Sequence, residues 1–268
     1  MFIDYHTHHE RCGHAEGQLR DYIEQAIQIG LDQLGLSDHM PIIHLPEEKI
    51  PSGTAMKLQQ LDEYVQEAFD LKKEYRGQIE IKVGIEADYV EGFEEEIENL
   101  LSPYPFDYII GSVHFLGEWD HSDSRQMEGW RKKSIDQIFS EYYRAVQGAA
   151  KSGLYDIIGH FDVIKKHGHV PRGDLTPLID ETLKVIKEQD LTLEVNTSGL
   201  FKVVKEIFPA PIIIEKAVSL DIPFTLGSDA HKPEHVHVGV EEGRKVLKEL
   251  GVNEIATFDQ RKRIMVQF

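Results

Sequence analysis

Two residue pairs carry the first chemical signal of this chain: His6-Thr7-His8 near its start and Asp229-Ala230-His231 near its end. In an extended strand residues two apart point to the same face, so both imidazoles of the first pair can reach one cation. The second pair repeats that geometry with an oxygen and a nitrogen donor. Other donors close short apolar runs: Asp38-His39, Glu86, His114, His160, and Glu194 with Asn196. One histidine at a strand end is usually a hydrogen-bonded rim residue, but two spaced pairs together with these further donors point to a metal centre. His14, in Cys12-Gly13-His14-Ala15, is on spacing alone either a ligand or a loop residue. Cys12 reads as an inert thiol in preference to a ligand. His44, His121, His167, His169, His235 and His237 lie away from strand ends and read as solvated or loop residues.

For these donors to meet, the elements before them must share one direction. Short apolar runs occur at Phe2 to His6, Leu34 to Ser37, Ile79 to Ile85, Tyr108 to Val113, Tyr155 to Gly159, Leu191 to Val195 and Phe224 to Gly227. Between several of them lie helical periods: Leu19 to Ile27, Leu58 to Leu71, Ile135 to Val146 and Leu178 to Ile186. A spacing of roughly 38 residues per run is the rhythm of strands alternating with helices in a parallel sheet, an α/β architecture. In such a sheet the strand ends that carry the donors lie on one side, so residues far apart in sequence converge. The acidic stretch Glu91 to Glu98 suits the first turns of a solvated helix. The connections Met40 to Ala55, Phe115 to Trp130 and Phe161 to Asp174 are irregular and read as functional loops. No Gly/Ser-rich or Pro-rich linker interrupts the chain, so residues 1–268 are expected to form a single domain.

Composition narrows the partners. Asp and Glu number 47 against 29 Lys and Arg, a formal charge of −18 with 14 histidines left neutral. Such a surface repels phosphate backbones and anionic lipid, which argues against nucleic acid and membrane as partners. Apolar residues make up 41%, enough for an ordinary packed core. The single cysteine cannot form an internal disulfide. The start MFIDYHTHHE has no basic segment leading into an apolar stretch, and no run of about 18 apolar residues occurs, so a soluble cytoplasmic protein is expected. Nothing in the sequence sets an oligomeric state. No GxxxxGK[ST] loop or well-placed GxGxxG is present, and Ser112, Ser198 and Ser228 lack a nucleophile elbow.

A mixed imidazole and carboxylate shell suits zinc, manganese or iron better than calcium or magnesium. The convergent donors are too many for one tetrahedral cation, so two or three metals are implied, with Glu86 bridging. Three divalent cations carry roughly +6, and two ligating carboxylates with a hydroxide remove roughly 3, a balance that favours a phosphate ester. Phosphomonoester hydrolysis is the leading reaction class.

The motifs His6-Thr7-His8, Ser37-Asp38-His39, Gly84-Ile85-Glu86-Ala87-Asp88, Gly111-Ser112-Val113-His114, Gly159-His160-Phe161-Asp162 and Gly227-Ser228-Asp229-Ala230-His231, in this order, resemble those of the polymerase and histidinol phosphatase (PHP) superfamily. With Asn196-Thr197-Ser198-Gly199 they resemble its phosphatase branch most. The resemblance implies a distorted (β/α)7 barrel, TIM-like, with a trinuclear centre. It implies one metal on His6, His8, Glu86 and Asp229, a second on Glu86, His114 and His160, and a third on His14, His39 and His231. It further implies hydrolysis of L-histidinol phosphate in histidine biosynthesis, by attack of a metal-bridging hydroxide on phosphorus. Asp229 or His231 would be the acid that protonates the leaving alkoxide.

Substrate contacts are expected from the irregular loops. Arg11, Arg125, Lys165 and Lys166 are candidates for the phosphate; Glu118, Asp120 and Asp123 for an amine; and Trp119 or Phe115 for stacking on an imidazole. Two other functions use the same residues. One is phosphodiester cleavage, as in the exonuclease members of the superfamily, against which the missing basic groove weighs. The other is metal binding without catalysis.

Overall fold

The computed structural model describes residues 1–268. In chain order the first elements are β1 (Ile3–Asp4), α1 (Leu19–Ile29), β2 (Gln33–Leu36), α2 (Leu61–Glu74), β3 (Glu80–Asp88), α3 (Glu94–Leu101) and β4 (Tyr108–Ser112). A small hairpin, β5 (Phe115–Leu116) with β6 (Trp119–Asp120), precedes α4 (Ile135–Lys151), β7 (Ile157–Ile158), α5 (Thr176–Glu188) and β8 (Thr192–Asn196). The chain finishes with α6 (Pro211–Ser219), β9 (Phe224–Gly227), α7 (Val240–Glu249) and the hairpin β10 (Glu254–Asp259) and β11 (Lys262–Gln267).

Seven strands form one sheet in the order β1-β2-β3-β4-β7-β8-β9, with every adjacent pair parallel. Its two edges meet. Tyr5 N donates to Leu226 O at 2.9 Å and His8 N to Ala230 O at 2.8 Å, and Thr7 bridges Ala230 in parallel. The result is a nearly closed barrel with its helices outside, as a sheet buried on both faces requires. All seven apolar runs became strands. Two of them are cut to two residues, because the backbone beyond turns to side chains: His6 N donates to Asp4 Oδ1 at 3.3 Å, and His160 N to Glu194 Oε2 at 2.7 Å.

The helices pack their periodic faces on the barrel. In α1 the buried face is Leu19, Tyr22, Ile23 and Ala26, and Gln18 and Asp21 cap its start reciprocally. In α4 Ser134 and Gln137 do the same. One apolar cluster of 65 buried residues runs from Ile3 to Phe258. Tyr108, fully buried, crosses the barrel interior and donates to Tyr5 O at 2.7 Å. It fills the space beside two glycines, since a Cβ on Gly35 would lie 2.1 Å from its hydroxyl and one on Gly84 2.4 Å from its ring. Burying such a ring contributes roughly 1.5–3 kcal/mol. Phe258 of β10 packs on Tyr5 and Tyr108 and seals the barrel end opposite the donors.

Three features departed from the sequence pattern. α6 is apolar on successive positions, Ile212-Ile213-Ile214, so no period marks it. The β10–β11 turn places Gln260 and Arg261 at φ 49° and 65°, left-handed values usually signalled by Gly or Asn. Phe115 to Trp130, read as irregular, holds the β5–β6 hairpin and a 3-10 run from Ser124 to Arg131. No helix is long and apolar enough to cross a membrane.

Candidate metal centre

The carboxyl ends of the strands deliver the donors to one mouth of the barrel, and Glu86, at the end of β3, stands at their centre. Its Oε2 lies 2.8 Å from His39 Nδ1, 3.4 Å from His6 Nε2 and 3.6 Å from His8 Nε2. Its Oε1 lies 2.9 Å from His160 Nε2 and 3.7 Å from His114 Nε2, and accepts from Ser112 Oγ at 2.6 Å. Asp229 Oδ1 is 3.1 Å from His8 Nε2 and 3.9 Å from His6 Nε2. His231 reaches His14, ring nitrogen to ring nitrogen, at 2.9 Å. Four groups of three donors are close enough for a shared cation: His6, His8 and Asp229; His6, Glu86 and His160; His39, Glu86 and His114; and His8, His39 and His231. All nine residues expected as ligands therefore surround one site, with His14 beside His231 at its exposed edge.

Carboxylates behind the rings orient them. Glu194 Oε1 lies 2.6 Å from His6 Nδ1, Asp88 Oδ1 2.9 Å from His114 Nδ1, and Asp38 Oδ1 3.4 Å from His8 Nδ1. Each occupies the far nitrogen of an imidazole and leaves Nε2 for a cation, an arrangement that also raises ligand basicity. Sequence reasoning grouped Asp38 and Glu194 with the potential ligands and did not separate this supporting role. The available signal was adjacency: Asp38 precedes His39, and Asp88 follows Glu86 by two. Asp229 sits at φ 56°, a left-handed value costing on the order of 1 kcal/mol for a residue other than glycine. Asp4, buried beneath it, accepts from Ser228 N at 2.9 Å and His237 N at 2.7 Å and so holds this turn.

Charge follows the geometry. Burial alone would raise the Glu86 carboxyl, but the facing His39, His6 and His114 rings hold it well below the usual range. Asp229 is likewise depressed, against burial, by His6, His8 and His231. Burial opposes protonation of His8, yet its bonds to Asp229 and Asp38 and the charge of Glu86 push it up to about 9. For His114 burial is outweighed by Asp88 and Glu86, again to about 9. Desolvation and the His39 and His8 rings lower His14 to about 4, while burial and His8 hold His231 well below its ordinary value. At neutral pH His14 and His231 are therefore uncharged, with lone pairs to offer. Asp229 therefore rests ionised and His231 uncharged, so neither holds an acidic proton before the reaction begins.

A cavity of about 720 Å³ opens over the centre. Of the loop candidates, Phe115, Asp120, Asp123, Arg125 and Lys166 line it. Lys166 is held below the ordinary lysine value by burial and by Lys202. Arg125 pairs with Asp123 and donates to Ser52 O at 2.7 Å. Arg11, Glu118 and Lys165 are not in the cavity wall, because each is committed elsewhere. Arg11 meets His9 and Glu67; Glu118 pairs with Lys49 at 2.8 Å; Lys165 pairs with Asp162 at 2.7 Å and Glu206 at 2.6 Å. Trp119 packs over Gly129 and on Trp130 instead of facing the cavity. His121, expected to be solvated, is fully buried against Tyr142 and Trp130 and donates to Val113 O at 2.9 Å when its proton is on Nε2.

The residues fit a metal. His6 Nε2, His8 Nε2 and Glu86 Oε2 are buried without a hydrogen-bond partner and face one another. Buried polar atoms are almost always partnered, and a cation would satisfy all three at once. Imidazole and carboxylate in this mixture suit zinc, iron or manganese.

With this fold and site in view, the comparisons are consistent. Residues 4–198 match the PHP domain, and the chain belongs to the PHP domain family. Within it, the chain is 38% identical over 259 residues to a probable histidinol-phosphatase of Deinococcus radiodurans, covering 97% of each. It is 31% identical to the histidinol-phosphatase of Bacillus subtilis, over 85% of this chain and 93% of that protein. The solved structure of histidinol phosphate phosphatase from Lactococcus lactis, complexed with zinc, L-histidinol and phosphate, superposes with a TM-score of 0.84 at 25% identity, covering 98% of each chain.

Proposed function

We propose that this chain is a metal-dependent phosphomonoesterase that hydrolyses L-histidinol phosphate to L-histidinol and phosphate, a cytoplasmic histidinol-phosphatase acting as one domain. The observation that carries the proposal is the set of unpartnered Nε2 and Oε2 atoms around Glu86 beneath an open cavity. We assign three divalent ions, of zinc, iron or manganese, to the nine donors: one to His6, His8, Glu86 and Asp229, one to Glu86, His114 and His160, and one to His14, His39 and His231. Bound there, divalent cations supply an acidified water and neutralise the charge that builds up as phosphorus changes partners.

The side chains do the remainder. Lys166, desolvated in the cavity wall, donates to a non-bridging phosphate oxygen. Asp229, ionised, accepts at Oδ2 the proton lost by the attacking water and passes it to the leaving alkoxide as the P–O ester bond breaks. Ser198 Oγ, 3.1 Å from that oxygen, and Asn196 Nδ2, at 3.4 Å, hold it in place. Asp120 gives the cavity negative charge for a substrate ammonium, Asp123 being paired with Arg125, and Phe115 gives an apolar face for its imidazole. A panel of phosphate esters tests the proposal. L-Histidinol phosphate is expected to be turned over with the highest kcat/KM, and His6→Ala or Asp229→Ala to abolish turnover. Equal rates on unrelated monoesters, or none on this one, would refute the substrate.

A further inference from the structure

Arg11 is the cation that sequence reasoning offered to phosphate, and the structure seats it outside the cavity. Its Nη1 lies 2.8 Å from His9 Nε2, and its Nη2 is held by Glu67 of α2. His9 itself is buried, 1% exposed, and its Nδ1 lies in ion-pair contact 2.5 Å from Oδ2 of Asp38, which is 0% exposed; neither atom makes a well-aligned hydrogen bond to any group. The other oxygen, Asp38 Oδ1, accepts from His39 N at 2.9 Å and faces His8 Nδ1 at 3.4 Å. A line of polar groups thus runs from the surface at Glu67 to the back of a metal-site imidazole.

The direction of the protons along this line is fixed by its outer end. A guanidinium has only donors, so His9 Nε2 must offer a lone pair and the His9 proton must sit on Nδ1. Asp38 Oδ2, 2.5 Å away, is the acceptor within reach of that proton. Asp38, an acceptor at both oxygens, then requires hydrogen on His8 Nδ1, so Nε2 is the nitrogen left for a cation to take. That nitrogen faces Asp229 Oδ1 at 3.1 Å and Glu86 Oε2 at 3.6 Å, where a cation would sit. We propose that Arg11, His9 and Asp38 form a tautomer-setting relay that holds His8 ready for metal, with Arg11 and His9 as positioning residues. The inference rests on the metal-centre reading above.

Asp38→Asn exposes the logic. In one orientation its amide places N–H against His9, whose other nitrogen already receives Arg11. In the other it places N–H against the His39 amide and forces the His8 proton onto Nε2. Either choice sets donor against donor. Removing Arg11 relieves the first conflict, because His9 can then carry its proton on Nε2 and accept at Nδ1 from the introduced amide.

The test is zinc affinity of metal-depleted full-length protein, by competition with a chromophoric chelator. Asp38→Asn is expected to bind about 10–100-fold more weakly. Adding Arg11→Met to it should restore at least about tenfold, although Arg11→Met alone should cost under about threefold, since His9 can still donate to Asp38. A double variant as weak as Asp38→Asn, or weaker, overturns the relay. Should Asp38→Asn fail to fold, His9→Gln and His9→Phe decide. The Gln amide can accept from Arg11 and donate to Asp38, so it should bind within about threefold of the parent, while Phe should lose about tenfold or more. Equal affinities for Gln and Phe overturn the relay. A parent protein that binds no zinc fails the metal-centre reading itself, whereas a parent that binds with additive variants fails the relay alone.

Discussion

Gly227 ends β9 against the pair His6 and Glu194, in backbone that any residue can adopt. A Cβ there would lie 2.2 Å from Glu194 Oε1 and 2.6 Å from His6 Cβ. Ordinary contact begins at 3.4 Å, so Gly227→Ala must push the carboxylate back by about 1.2 Å (3.4 minus 2.2). Added to the present 2.6 Å between Glu194 Oε1 and His6 Nδ1, such a movement takes the pair past hydrogen-bonding range. The overpacking should cost about 1–3 kcal/mol, which in a chain of this size lowers the melting temperature by roughly 2–12 °C. His6, freed from its carboxylate, should lose about 10–100-fold in metal affinity. Thermal unfolding of metal-free protein and zinc competition on the same preparation measure the two effects separately. Unchanged melting temperature and unchanged zinc affinity would refute the role given to this close approach.

The two neighbouring lysines should divide their effects. Lys166→Met removes a charge-assisted contact worth about 1.5–3 kcal/mol, so KM for the phosphate ester should rise on the order of tenfold or more with zinc affinity unchanged. Lys165→Met leaves buried Asp162 without its cation, and the cost of about 3–5 kcal/mol should appear in the melting temperature while KM stays constant. The metal-free protein should also lose stability with rising pH. His8 and His114 are raised from 6.5 to about 9, so their contribution is fully present below about pH 6.5 and disappears as pH rises through about 9. Melting temperatures across that window check the sign, and a rise would refute it.

Much of this was legible because strand ends and ligand types coincide. Seven apolar runs marked the strands, and each donor at the end of one reached the site, His6 and His8 through period-two alternation. His14 was different: spacing left it open, family resemblance favoured it, and the fold places it beside His231. The loop residues were misjudged because sequence reports a charge and not its partner. Arg11, Glu118 and Lys165 looked available and are each spent on a neighbour, at Glu67, Lys49 and Asp162. His121 was misjudged for a related reason, since burial beyond a small hairpin, against Trp130 and Tyr142, leaves no period in the sequence.

In the proposed function, the donors around Glu86 bind the metals on which phosphate ester hydrolysis depends. The direct measurement is phosphate release from L-histidinol phosphate by one preparation, before metal removal, after exhaustive chelation and after reloading, with bound metal counted at each stage. About three metals per chain are expected in the active states, with turnover lost when the metal is removed and restored when it returns. Undiminished turnover in protein shown to be metal-free would contradict it.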